Sequence, residues 1–295
     1  MKKLFILAAV ALGLVSCDLT TDPITTVTDK VALENFEGLD KASAVTYVAF
    51  SSGSWYGEDL QIFPDVMCGN CVAGAPLNSG RGMSWQQWNF TASGGFSIYG
   101  NAYVNINRCN NVIYAIKTRG DQYLKEEGVT QQDLDNCMAE SLFVRAYCYF
   151  DLLRWYAQPY AISSTAAEGT VEALGVPVVK ENPEESVLDK PARALAADNY
   201  AQIIKDLNTD NVDTEEQKAI YRVKEHIVTA LDLIEPGFTR ADVKDVKGAV
   251  TPAAIEALLA RVYLYMQDWK NAEIHASNVI AMGHAVATAS EYASM

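Results

Sequence analysis

The chain has 295 residues, a formal net charge of −14, and 49% hydrophobic against 20% charged residues. That length suits one large core or two modest domains, and the composition is that of an ordinary globular chain. So acidic a chain, with few basic clusters, argues against nucleic acid as a partner.

Residues 1–17 read MKKLFILAAVALGLVSC. Lys2 and Lys3 make a basic start, and Leu4 to Val15 is an apolar run too short to span a membrane as a mature helix, so the segment reads as a secretory signal. Leu14, Val15, Ser16 and Cys17 resemble a lipobox, the cleavage site of bacterial lipoprotein signal peptidase. That resemblance implies removal of residues 1–16 as a signal peptide and acylation of Cys17, with the lipid tying the chain to a membrane. Loss of Lys2 and Lys3 would take the charge from −14 to −16. Several acyl chains on one cysteine anchor stably where one alone is marginal. The alternative is a soluble secreted protein with an incidental cysteine. Residues 17–30 are polar, Thr-rich and interrupted by Pro23, as an extended tether would be. The remainder, 31–295, is expected to be one helical domain.

The first helix is predicted over Glu34–Phe50, where Leu39, Ala42, Val45 and Val48 recur near helical spacing. Ser51–Gly95 is different. It is Gly-rich and holds three of the five tryptophans and a Cys68–Cys71 pair, with no sustained period. A connection that long is usually functional or disordered, and its tryptophans argue against disorder. C-x-x-C without a second pair or nearby His is a weak zinc signal, and a local loop disulfide or two buried thiols is the plainer reading.

Phe96–Lys117 carries a helical stripe of Tyr99, Tyr103, Ile106, Asn110 and Ile113. Asp121–Val129 reads as a turn, and Thr130–Ala157 as a second helix antiparallel to the first. Within it, Leu142, Ala146, Tyr149, Leu153 and Tyr156 follow the helical period, while Phe143, Val144, Tyr147 and Phe150 fill the remaining circumference. A helix apolar nearly all round is buried on several sides. Its few charges, Glu140, Arg145, Asp151 and Arg154, must pair or reach a rim. With the turn centred near residue 124, Cys109 falls opposite residue 140, which makes Cys109–Cys137 the candidate disulfide and Cys148 a lone thiol.

Pro159–Pro191 holds four prolines and reads as an irregular connection, with an acidic turn over residues 181–185. Helices are predicted over Ala192–Leu207 and Thr214–Leu233, with a loop over Gly237–Gly248. In Thr251–Met282, Leu259, Ala260, Tyr263, Ala272 and Ala276 fit the tetratricopeptide pattern of two packed helices, with Trp269 in the turn between them. Asp206, Asn208 and Asp210 have the spacing of a calcium loop, but Asn211 and Gln217 stand where Gly and Glu are needed, so they read as a helix end.

The phrase E-x-L-F-x-R-A-Y-x-Y-F-D-L-x-R-x-Y-x-x-P, from Glu140 to Pro159, resembles the signature helix of the SusD/RagB family of Bacteroidetes surface lipoproteins. The stripe from Tyr99 to Asn110, the Tyr200–Leu207 helix end and the A-L-L-A-R-V-Y-L-Y run before Asp268–Trp269 are similar to further landmarks of that family. Tyr99 stands where the family more often has Trp. The resemblance implies an all-α fold of tetratricopeptide-like repeats with a long irregular loop region, a SusD-like superhelix. It also implies capture of nutrient at the outer membrane for a TonB-dependent transporter of the SusC type. Family members continue well past residue 295, so the chain is expected to be incomplete relative to them.

No catalytic constellation is evident, and no enzyme, cofactor or metal is expected. The histidines are 226, 275 and 284, and His275 reads as a surface or core-edge residue. No G-x-S-x-G, H-E-x-x-H or P-loop is present. The candidate ligand residues are Trp55, Tyr56, Asn78, Arg81, Trp85 and Trp88, since sugars stack on aromatic rings and hydrogen-bond to planar polar groups. Each of these tryptophans could equally pack the loop onto the helices. A glycan-binding lipoprotein, facing the cell exterior from the outer membrane, is the leading reading. The alternative is a tetratricopeptide-type scaffold for peptides or proteins, including peptide import.

Overall fold

A computed structural model describes residues 32–73, 82–89, 98–208, 249–284, 288 and 290. The predicted helix at 214–233 and loop at 237–248 lie outside the described residues, as do Cys17, Asn78 and Arg81. Helix α1 spans Phe36–Val45 and continues as a 3-10 turn over Thr46–Ser51. Asn35 caps α1 by accepting the Gly38 N–H, so the helix starts two residues later than the apolar pattern suggested. Two long helices follow, α4 (Ile98–Tyr123) and α5 (Gln131–Tyr156), each of 26 residues. Before them lie the short helices α2 (Asp59–Met67) and α3 (Met83–Gln86). After them come α6 (Tyr160–Ser163), β1 (Leu174–Pro177), α7 (Pro183–Leu188), β2 (Arg193–Leu195) and α8 (Ala196–Leu207). The pair α9 (Pro252–Met266) and α10 (Trp269–Ala281) closes the described chain.

Helix α5 is the axis of this arrangement. Thr130 and Asp133 form a reciprocal capping box at its start, and Ala157 ends it two residues before Pro159. It packs against α1, α4, α8, α9 and β1. Nearly every residue from Leu134 to Leu153 is buried, as expected of a helix apolar all round. The main core joins Ile98, Ile106, Phe150, Leu152, Ile203, Leu207, Leu259 and Val262 with Trp55 from the irregular region.

The charges on α5 find partners inside the protein. Glu140 accepts hydrogen bonds from Ser43 and Tyr47, both at 2.9 Å. Arg145 is buried and grips Asp206 of α8 bidentately, at 2.8 and 2.7 Å, and also donates to Asn110 of α4 and to Glu181. Burial opposes the charge on Arg145, but Asp206 and Glu181 outweigh it and raise its pKa above the ordinary value. Burial likewise opposes the charge on Glu181, but Arg145 and Lys117 prevail and hold its pKa down at about 2.

The stretch after α6, expected to be irregular throughout, contains a two-stranded antiparallel sheet. Leu174 pairs with Leu195 and Pro177 with Arg193, with an irregularity between them. Prolines mask this strand pair in the sequence, and the polar backbone of the strap is satisfied mainly by side chains from elsewhere. Tyr103 donates to the Pro177 carbonyl, Tyr149 accepts the Val179 N–H, and Asn199 bonds both polar groups of Val176. Gly175 is needed because a Cβ there would lie 1.9 Å from Asn199 Oδ1 and 2.8 Å from the Ala196 Cα.

Three further expectations are corrected. Helix α2 lies in the region read as aperiodic, with Pro64 inside it; Phe63, Val66 and Met67 recur at helical steps, but the run is too short to register beside a helix breaker. Trp269 opens α10 instead of lying in the turn, because Asp268 caps that helix. Cys109 and Cys137 are both free thiols. Since α4 runs on to Tyr123, the turn is centred near residue 127, and the register brings Cys148 instead of Cys137 to the Cys109 level. Asn105 Nδ2 accordingly lies 3.6 Å from Cys148 Sγ.

Glu181 has a depressed pKa in the folded state, so the stabilisation it supplies is present above its unfolded value of 4.5 and is lost as pH falls through about 2. Glu181→Gln should therefore flatten the pH dependence of urea-unfolding stability across that window. An unchanged slope would remove Glu181 from the account of acid stability.

Candidate functional site

Two described pieces of the irregular region, residues 59–73 and 82–89, form a small layer outside the main core. Gly82, at φ 79°, turns the chain into α3. The Trp85 ring then stacks on Phe63 of α2, with centroids 4.8 Å apart and planes 13° from parallel. Phe63, Val66 and Trp85 form a satellite cluster outside the main core. Gln86 Oε1 accepts the Ala73 N–H and ties the two ends of this layer together. Cys68 and Cys71 sit at its edge as exposed free thiols, neither bridged nor buried.

Trp88 differs from Trp85. Its backbone is at φ 53°, a left-handed conformation that bulky side chains rarely adopt, and its side chain is 63% exposed. The turn is fixed by the Trp88 N–H donating to the Trp85 carbonyl and the Asn89 N–H donating to that of Ser84. A strained, exposed indole held on a packed base suits stacking against a ligand.

Trp55 is fully buried, and its indole N–H donates to Asp151 at 2.7 Å. The half-buried Tyr56 donates its hydroxyl to the other oxygen of the same carboxylate at 2.9 Å. Burial, and then the Asp151 charge, push the Tyr56 pKa well above the ordinary tyrosine value. Asp151 is itself enclosed. Burial raises its pKa against the Trp55 hydrogen bond and the charge of Arg154, whose guanidinium lies 2.8 Å away. The Tyr147 hydroxyl donates to that of Tyr56 at 3.2 Å. Phe50, Trp55, Tyr56 and Tyr147 are mutually packed at centroid distances between 5.0 and 6.3 Å.

Of the six candidate ligand residues, the structure therefore places Trp55 in the core, Tyr56 at its rim, Trp85 at the base of the satellite layer and Trp88 at its surface. Trp55 and Tyr56 meet on Asp151, whereas Trp85 and Trp88 belong to the separate layer. Sequence reasoning passed over Tyr147, Asp151 and Arg154; the signal available was a cluster of polar groups in an otherwise apolar helix. Among the described residues no group of three or more His, Cys, Asp or Glu side chains is placed to hold a metal. The chemistry on offer is stacking and hydrogen bonding. His275, expected near a surface or core edge, is buried, with its Nδ1 2.6 Å from Glu256 and its ring stacked on Tyr263.

Trp85→Ala should loosen the satellite layer without melting the bundle, because the two apolar clusters are separate. Limited proteolysis should cut faster within 59–89 while fragments containing 131–156 stay resistant. Equal loss of resistance in both regions would show that the layer is part of the main cooperative core.

A SusD-like family model described as "Starch-binding associating with outer membrane" matches residues 75–212. A search of curated protein sequences found no match. Among solved structures, the chain is similar to a SusD superfamily protein from Bacteroides thetaiotaomicron VPI-5482, at 21% identity and TM-score 0.62, over 88% of this chain and 49% of that one. It is similar to a SusD-like carbohydrate binding protein from Bacteroides vulgatus ATCC 8482, at 19% identity and TM-score 0.60, over 88% and 47%. A third is surface glycan-binding protein A from Bacteroides fluxus, at 18% identity and TM-score 0.52, over 89% and 46%. The chain thus spans about half the length of each of these structures.

Proposed function

We propose that this chain, SusD-like in its 75–212 sequence and in its fold, is a cell-surface lipoprotein that captures oligosaccharide and passes it to a TonB-dependent outer-membrane transporter of the SusC type. It does so by binding, without catalysis. The observation that carries the reading is Trp88, an exposed indole in strained backbone, inside the stretch matched by the starch-binding family description. A packed helical array offers smooth faces, so a sugar site is better built on irregular backbone that can aim several side chains at one point. Trp88 supplies the stacking ring and Trp85 its support, with Arg81 and Asn78 as donors to ring hydroxyls. Tyr56 contributes at most its exposed edge, and Trp55 acts by holding Asp151. The carbohydrate-binding descriptions of similar structures support the same ligand class.

Anchoring falls to Cys17. No helix among the described residues is long and apolar enough to cross a membrane. In the proposed mature protein, lipid on Cys17 and the 17–30 tether hold the domain at the outer membrane, facing the exterior.

Trp88→Ala should weaken oligosaccharide binding by roughly 1–3 kcal/mol, the range measured for aromatic stacking on nucleic-acid bases, while the melting temperature stays nearly unchanged. Calorimetric titration with a panel of neutral oligosaccharides tests this; undiminished affinity would displace Trp88 from the site. Cys17→Ala should release the protein from membrane fractions and abolish fatty-acid labelling. A mutant still labelled and membrane-bound would overturn the anchor.

A further inference from the structure

A second surface, distinct from the Trp88 layer, is formed where α5 meets α9. Arg154 and Arg261 both approach the buried Phe150 ring, with guanidinium carbons 5.6 and 5.8 Å from its centroid. Arg154 also lies 5.5 Å from the ring centroid of Tyr265, a residue 42% exposed to solvent. Two cations therefore share one aromatic patch, and among the described residues the one carboxylate bonded to either of them is Asp151, which Arg154 engages.

The hydrogen bonds across this patch run in one direction. Arg261 Nη1 approaches the Tyr147 hydroxyl at 3.5 Å, Tyr147 donates to Tyr56, and Tyr56 donates to Asp151. Asp151 also accepts from Trp55 and Arg154, which fills it with donors. Every step points inward to that one acceptor, so Arg261 stands at the outer end of the chain. A guanidinium has five N–H donors. Among the described residues Arg261 makes no salt bridge, although its charge acts on that of Asp151, and its only hydrogen bond is the long one to Tyr147. Partly buried in a chain of net charge −14, it is a local cation at the rim of a tyrosine-lined surface. Arginine's planar fork matches a carboxylate or sulfate in two-point geometry, and the neighbouring rings offer apolar faces to a pyranose.

We propose that Arg261, with Tyr147, Tyr265 and Arg154 around it, is a binding site for the anionic group of an acidic saccharide, a uronate carboxylate or a sulfate ester. The saccharide part of this assignment rests on the glycan-capture reading above; the anion part rests on Arg261 and its surroundings alone.

The test is titration of the purified chain with oligogalacturonate, sulfated galactan oligomers and neutral galactan oligomers of equal length, using wild type, Arg261→Gln and Arg261→Lys. Wild type should bind at least one acidic series tenfold or more tighter than the neutral one, and whichever series is preferred distinguishes carboxylate from sulfate. Arg261→Gln should reduce that preference to within twofold without altering neutral binding, and Arg261→Lys should retain part of it. Unchanged circular dichroism and melting temperature exclude misfolding as the cause. Neutral binding with no acidic preference, or a preference that survives Arg261→Gln, overturns the proposal and leaves glycan capture standing. If no saccharide of any series binds, glycan capture fails and the saccharide assignment fails with it. Inorganic sulfate then decides the anion site: an Arg261-dependent rise in melting temperature sustains it, and no rise removes it.

Discussion

A guanidinium sealed inside a helical bundle is the constraint on which the rest of this structure depends. Arg145 cannot remain charged in the core unless its donors are met, and meeting them fixes α4 through Asn110, α8 through Asp206 and the intervening strap through Glu181. Buried ion pairs contribute little net stability compared with a well-packed apolar core, yet removing one partner is expensive because it strands the other. That asymmetry gives Arg145 a specifying role. Any packing of α8 or of residues 174–181 that displaces Asp206 or Glu181 leaves an unpaired charge inside the protein.

Six residues further along the same helix, Asp151 does the reverse with a buried carboxylate. It gathers Trp55, Tyr56 and Arg154, and so draws the start of the irregular region down onto α5. More than a turn and a half separates the two positions, so they act in different directions around the axis. One organises the strap and α8, and the other the aromatic rim. The satellite layer with Trp85 and Trp88 is left outside both networks, held by its own small apolar cluster. A rigid frame carrying a separately packed irregular layer can present different ligand-facing side chains without disturbing its core.

The frame was legible in the sequence because periodicity over 26 residues is a strong signal, and Thr130 and Pro159 mark both ends of α5. The scarcity of charges on that helix also foretold that they would pair. The pairing partners were not legible, since Asp206 and Glu181 are distant in sequence and look like an ordinary helix end and an acidic turn. The β1–β2 pair was hidden by prolines and by backbone groups satisfied from other elements. In the candidate site, the aromatic content of residues 51–89 was visible, but its division was not. Trp55 and Trp88 both lie in the stretch without a sustained period, and it is the tertiary position of Asp151 that encloses Trp55 while Trp88 faces solvent.

The central claim is that ligand is met by the irregular layer and the aromatic rim instead of by a groove between the paired helices α9 and α10. Amide hydrogen exchange with and without a bound oligosaccharide tests it most directly. The account predicts new protection in peptides covering 55–89 and the last two turns of α5, joined for an acidic oligosaccharide by the Arg261–Tyr265 stretch of α9, with the α4–α5 hairpin around Arg145 equally protected in both states. Protection confined to α9 and α10 would contradict it and identify the helical pair as the recognition surface.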